Sequence, residues 1–213
     1  SMTDAISPMA RSGEPFSLVG SGGLTIVGEQ WGDRSGPPVL LLHGGGQNRH
    51  AWKGSAATLA AAGYFVVALD ARGHGDSGWS DDGHYEMEHL AGDLMAVLGS
   101  LERPPAVVGA SMGGMTAITA QGMADFQLFS AVVLVDVTPR MELSGVTRIL
   151  GFMTAHPDGF DSLEQAAEVI ASYNPHRPGS DNVDGLRKVL REQNERWLWR
   201  WDPKFITSKA ELM

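Results

Sequence analysis

The sequence predicts an α/β fold: a mostly parallel sheet of about six strands with helices on both faces, followed by a helical addition. Three observations predict this. The runs PPVLLLH (37–43), YFVVALD (64–70) and SAVVLVDV (130–137) lack polar alternation, as strands covered on both faces do. Longer alanine-rich or amphipathic segments separate such runs, the rhythm of parallel strands joined by crossover helices. From Pro139 onward the strand-like runs cease and helix-like segments follow one another.

The segments FSLVG (16–20) and LTIVGEQW (24–31) flank Ser21-Gly22-Gly23, a composition suited to a hairpin turn. Residues 37–43 form the third strand, AWKGSAATLAAAG (51–63) a helix stopped by Gly63, and 64–70 the fourth strand. HYEMEHLAGDLMAVLGSL (84–101) reads as a helix and PPAVVGA (104–110) as the fifth strand. SMGGMTAITAQGMA (111–124) is a helix that begins abruptly at its end, and 130–137 is the sixth strand. Beyond it, MELSGVTRILGFMTAH (141–156), DSLEQAAEVIASY (161–173) and VDGLRKVLREQNERWLW (183–199) all read as helices. The chain thus divides into an extended or disordered segment (1–15), a core (16–139) and a helical unit (140–203).

Composition excludes several kinds of chemistry. The 213 residues include no cysteine, so a disulfide framework, a thiolate zinc site and a cysteine nucleophile are all ruled out. With 16 basic against 25 acidic residues the formal net charge is −9, which repels phosphate backbones and anionic membranes and argues against nucleic-acid binding. The N-terminal stretch is polar and carries no apolar core of a signal peptide, and no apolar run reaches the ~18 residues of a membrane span. A cytoplasmic protein without membrane partners is the expectation. No metal-ligand spacing is read, and HGGG (43–46) lacks the Lys-Ser/Thr of a phosphate-cradling loop, so no metal and no cofactor are expected.

The chemistry-bearing stretch is VVGASMGG (107–114). Gly109-Ala110-Ser111-Met112-Gly113 places a serine between a strand and a helix, on a turn tight enough to lift its hydroxyl above the sheet. Side chains two positions to either side would strike the neighbouring strand and helix, so glycines stand there. The Met112 N–H then opens a helix, where it has no intrahelical partner. A second donor is expected from the loop after the third strand, where Gly44 and Gly45 follow His43 and let backbone approach a substrate carbonyl closely. His43 itself is expected to brace that loop.

These residues give the chain a resemblance to the α/β-hydrolases. Besides HGGG and GASMGG, Asp70-Ala71-Arg72-Gly73-His74-Gly75-Asp76-Ser77 is similar to the family's D-x-R-G-x-G-x-S loop. Trp52, nine positions after His43, resembles the spacing of its epoxide-hydrolase-like and haloperoxidase-like branch. The resemblance covers residues 16 to 139. It implies strand order 1-2-4-3-5-6 here, two further strands in a complete family domain, and a cap following strand six, with which 140–203 fits. By the same resemblance 204–213 starts a return to the core. Where the epoxide hydrolases carry a nucleophilic aspartate this chain has Ser111, which suits acyl transfer to and from esters, lactones or thioesters. Cofactor-free peracid or haloperoxidase-type chemistry is the alternative within the family.

The resemblance also implies an acid after strand seven and a histidine after strand eight. None of the seven histidines, at 43, 50, 74, 84, 89, 156 and 176, lies in a matching run. The chain is therefore expected to be a fragment of a longer protein, and the 213 residues alone are expected to be inactive. Without a seventh strand, 130–137 becomes an open apolar edge that invites pairing, a homodimer among the outcomes. Asp136, ending strand six, is the remaining acid candidate; a turn-forming role at Val137-Thr138-Pro139 competes with it. His156 and His176 sit beside prolines, as loop residues do. Arg72, Asp76 and Ser77 are expected to hold their loop. Trp52 and Trp199 are the candidate substrate-lining residues, although a cluster such as RWLWRWD (196–202) more often serves packing. The reading is a serine-dependent hydrolase of a small acyl substrate, with Ser111 as nucleophile and Met112, Gly44 and Gly45 as oxyanion donors. A triad-deficient binding protein is the alternative from another class.

Overall fold

The computed structural model describes residues 13–136, 150–173 and 183–205, which belong to two compact units, Ser1–Pro139 and Arg140–Met213. In the first unit, β1 (Glu14–Val19) and β2 (Thr25–Trp31) form an antiparallel hairpin. Its turn runs through Ser21–Gly23, with Gly22 and Gly23 at φ of 67° and 85°. There follow β3 (Pro38–Leu42), α1 (Lys53–Ala61), β4 (Phe65–Leu69), α2 (Met87–Gly99), β5 (Ala106–Ala110), α3 (Met112–Met123) and β6 (Ala131–Val135). The sheet order is β1-β2-β4-β3-β5-β6, as the resemblance implies. β2 runs antiparallel to β4, whereas β3 pairs in parallel with both β4 and β5, and β5 with β6.

The absence of polar alternation in β3 and β4 has a direct cause. Leu40 and Leu42 with Phe65, Val67 and Leu69 face one core, closed by Ala91, Leu94 and Val97 of α2 and Ala117 and Ala120 of α3. Val39 and Leu41 with Val66 and Ala68 face the other, closed by Trp31 and by Ala56 and Ala60 of α1. Strand β6 differs. Among the described strands it pairs with β5 alone, and it leaves Val132, Val133, Leu134 and Val135 between 39% and 50% exposed. The helix expected over 84–101 begins only at Met87, and the backbone of 84–86 forms a bend before it. Among the described residues no helix is long and apolar enough to cross a membrane.

In the second unit, residues 150–154 are helical, and α4 (Leu163–Tyr173) lies within the expected 161–173. The helix expected over 183–199 is corrected. A 3₁₀ turn (Val183–Lys188) leads into an antiparallel hairpin of β7 (Leu190–Gln193) and β8 (Arg196–Trp199). Asn194 and Glu195, at φ of 52° and 63°, make its two-residue connection, the left-handed pair that matches strand twist. Phe160, Leu163, Ala166 and Leu190 form this unit's own core, and Phe160 bridges to Trp197. The expected N-terminal segment up to residue 12, the helical stretch 141–149, His176 and the tail from 206 lie outside the described residues.

Candidate active site

The chain crosses from β3 to β4 on one side and from β4 back to β5 on the other, so successive connections diverge between β3 and β5. At such a switch point the loops leaving the strands' carboxyl ends open a crevice. The loop after β3 begins with His43-Gly44-Gly45-Gly46, and Ser111 follows β5.

Ser111 adopts φ 48° and ψ −109°, outside the ordinary regions for a residue with a side chain. Such geometry costs about 1–3 kcal/mol and persists only where the surroundings impose it. Here the Ser111 N–H donates to the Val135 carbonyl at 2.9 Å, and its own carbonyl accepts from the Met115 N–H at 3.0 Å. A Cβ at Gly109 would lie 2.5 Å from the Gly114 nitrogen, and one at Gly113 would strike the Leu42 backbone. The two glycines thus let strand, turn and helix close together. Ser111 itself is half-buried, while Met112, the first residue of α3, is buried.

The glycine loop lies against this serine. A Cβ on Gly44 would lie 3.7 Å from the Ser111 Cβ and 3.6 Å from the Ala110 carbonyl oxygen. The Gly44 N–H donates to Gln47 Oε1 at 3.1 Å. His43 is 2% exposed and committed at both ring nitrogens: Nδ1–H donates to the Gly44 carbonyl at 2.8 Å, and Nε2 accepts the Ala71 N–H at 2.9 Å. Those partners fix the neutral tautomer. Burial pulls its pKa down to about 4, against the smaller upward effect of the Gly44 carbonyl. His43 braces the loop, as expected, and has no free nitrogen with which to take a proton.

A second imidazole does the same from below. His74, fully buried, accepts the Gly46 N–H at Nε2 (3.0 Å), and its Nδ1–H donates to the Arg72 carbonyl (3.0 Å). The loop after β4 is in turn held by Asp70, which accepts the Arg49 N–H (2.7 Å), the Arg49 guanidinium and the Asp76 N–H (2.9 Å). Arg49 also reaches Glu29 and Asp76, each at 2.8 Å. Arg72 forms a two-pronged pair with Asp93 at 2.7 Å and donates to the His84 and Ser21 carbonyls. The Ser77 hydroxyl donates to the Asp70 carbonyl and accepts the Val27 N–H. Arg72, Asp76 and Ser77 therefore hold their loop, as expected. A cavity of about 40 Å³, lined by Leu42, His43, Asp70, Arg72 and Met112 among others, lies beside this network and is too small for an acyl substrate.

Each remaining candidate has surroundings of its own. Asp136 directly follows β6 at φ 53° and is exposed, and its expected turn partners 137–139 lie outside the described residues. Trp52 is half-buried and packs against the core that contains Trp31, with its Nε1 buried and unpaired. Trp199 belongs to the second unit. Helical spacing would point it away from its neighbours, but on β8 it stacks on Trp201 with ring centroids 4.4 Å apart, and its Nε1 is also unpaired. His156 lies 4.8 Å from the Phe160 ring in the same unit. Among the described residues of the first unit no histidine hydrogen-bonds Ser111. Sequence reasoning passed over Gln47, His74 and Asp93. Gln47 and His74 signal only as polar residues in glycine-bearing loops, and Asp93 only as an acid among the apolar residues of α2.

Residues 37–188 match the family described by the alpha/beta hydrolase fold, and the chain belongs to that family. Among curated relatives, the esterase Rv0045c of Mycobacterium tuberculosis is 36% identical over 185 residues, 81% of this chain and 59% of its own length. A probable protein phosphatase methylesterase 1 of Caenorhabditis elegans is 30% identical over 174 residues, 78% of this chain and 48% of its own. The chain thus spans about half the length of these relatives. Among solved structures, an alpha/beta hydrolase from Novosphingobium aromaticivorans superposes with a TM-score of 0.79 at 26% identity, covering 91% of this chain and 70% of the other.

Proposed function

We propose that this chain is the nucleophile-bearing part of a serine esterase. The observation that carries the reading is the forced backbone of Ser111 beside the Gly44 turn and at the start of α3. In the proposed reaction Ser111 Oγ attacks the ester carbonyl carbon and passes its proton to a histidine base. The tetrahedral oxyanion takes hydrogen bonds from the Met112 N–H and from a glycine of the loop after β3. Gln47 already occupies the Gly44 N–H, so Gly45 is the stronger glycine candidate and Gly44 needs Gln47 to swing away. Collapse of the intermediate expels the alcohol with the proton from the histidine, and water then releases the acid from the acyl-enzyme. Each oxyanion donor in such a site is worth about 3 kcal/mol of barrier.

The histidine is one that the described residues do not bring to Ser111. Asp136, directly after the strand whose Val135 carbonyl holds the Ser111 backbone, is the candidate carboxylate to orient it. Trp52 and Trp199 are the weaker proposals, since each is accounted for by packing within its own surroundings. Esterase and methylesterase relatives support an ester substrate. Full-length protein should release a burst of p-nitrophenol from p-nitrophenyl acetate, and Ser111→Ala should abolish it. Equal turnover by both removes Ser111 from the mechanism.

The lack of a described histidine on Ser111 favours a second reading, a triad-deficient scaffold that binds rather than hydrolyses. Fluorophosphonate separates the two, since only a base-activated serine in the full-length protein is labelled rapidly.

A further inference from the structure

The bend before α2 gathers side chains that play no part in the site above. His84, Glu86 and His89 each offer one ligand atom, and these atoms lie within 4.8 Å of one another. The two imidazole rings are 4.9 Å apart, and His89 Nε2 is 3.3 Å from Glu86 Oε2. Asp82 Oδ2 adds a fourth donor atom, 3.9 Å from His84 Nε2. We propose that His84, Glu86 and His89 form a surface site for a divalent first-row transition ion, with Asp82 available as a further ligand.

The backbone holds the donors in place. The His84 N–H is bound by Ser80 Oγ at 3.0 Å, and its carbonyl by the buried Arg72, which is itself locked to Asp93. Glu86 is the N-cap of α2, and the His89 N–H donates to the Glu86 carbonyl at 3.0 Å. Only the side-chain tips need to adjust. In a tetrahedral site with bonds of about 2.0–2.1 Å, ligand atoms stand roughly 3.4 Å apart, so closure asks each tip to move by about an ångström. His84 and Glu86 are exposed and His89 half-buried, which leaves the tips room for that movement. Two imidazoles with carboxylates select zinc, copper, nickel or cobalt over calcium and magnesium, which favour all-oxygen shells. No metal spacing was legible in His84-Tyr85-Glu86-Met87-Glu88-His89, because a continuous helix over 84–101 would put His84 and His89 on different faces. The bend at 84–86 is what brings them together.

The test is titration of the tag-free chain with Zn²⁺ and with Cu²⁺, against H84A, H89A and the double variant. His84 is exposed and His89 half-buried, so the fold should survive both substitutions, which circular dichroism checks. One equivalent of Zn²⁺ should bind and raise the melting temperature. Affinity should fall at least tenfold in each single variant, with the stoichiometric site lost in the double. Electron spin-echo modulation of the Cu²⁺ form should report two coordinated imidazoles, falling to one in each single variant. Uptake unchanged in the double variant, no saturable uptake, or equal affinity for Ca²⁺ would each overturn the proposal.

Discussion

His43 shows how much a single imidazole contributes by staying neutral. With both nitrogens occupied inside the protein, it resists protonation until about pH 4, whereas in an unfolded chain it takes up a proton near pH 6.5. The unfolded state therefore binds more protons across that interval, and stability falls as pH drops through it. The contribution is complete above about pH 6.5 and exhausted near pH 4. It is worth on the order of 3 kcal/mol, since each pH unit of separation corresponds to about 1.4 kcal/mol. Urea midpoints between pH 8 and pH 4 should decline in the native chain, and in His43→Gln the decline over this interval should be shallower by up to one proton. Parallel curves would show that His43 is not the group responsible.

At the scale of elements, the hairpin β7–β8 carries an avoidable strain. A two-residue connection of this hand prefers glycine at its second position, yet Glu195 stands there at φ 63°. A residue with a Cβ loses roughly 1–2 kcal/mol in that conformation. Glu195→Gly should accordingly stabilise the hairpin by about 1 kcal/mol, part of the strain relief being offset by glycine's greater freedom when unfolded. Slower amide exchange across 190–199 would register it; faster exchange would mean that Glu195 makes contacts worth more than the strain. The same turn explains what the sequence concealed. Leu186, Val189, Leu190 and Trp197 recur at helix-like spacing, and no glycine marks the reversal, so 183–199 reads as one helix. By contrast β3 and β4 were legible because each buries both faces, and α3 because a glycine-flanked serine needs a helix directly behind it. Of the site, the serine turn and glycine loop could be read from local spacing. The roles of Gln47, His74 and Asp93 could not, since they depend on which loops and helix meet in space.

At the scale of the molecule, the exposure of β6 sets how the 213-residue chain behaves in solution. Val133 and Val135 lie on the α1 side of the sheet, Val132 and Leu134 on the α2–α3 side, and neither set is covered. An apolar edge without charge or proline is a template for pairing with another strand. Light scattering should find dimers or larger species at micromolar concentration, and Val133→Lys should shift the population towards monomer with little change in far-ultraviolet circular dichroism. Monomers of the native chain under the same conditions would mean that the edge is shielded.

The cross-ties between the loops after β3 and β4 have a practical consequence for protein engineering. Ala71 on His43, Gly46 on His74 and Arg49 on Asp70 stitch the two segments into one piece. Replacing either alone with a homologous cassette strands a sealed ring nitrogen or carboxylate with nobody opposite. A chimera that aims to alter selectivity here must therefore transplant 43–49 and 70–77 in a single exchange.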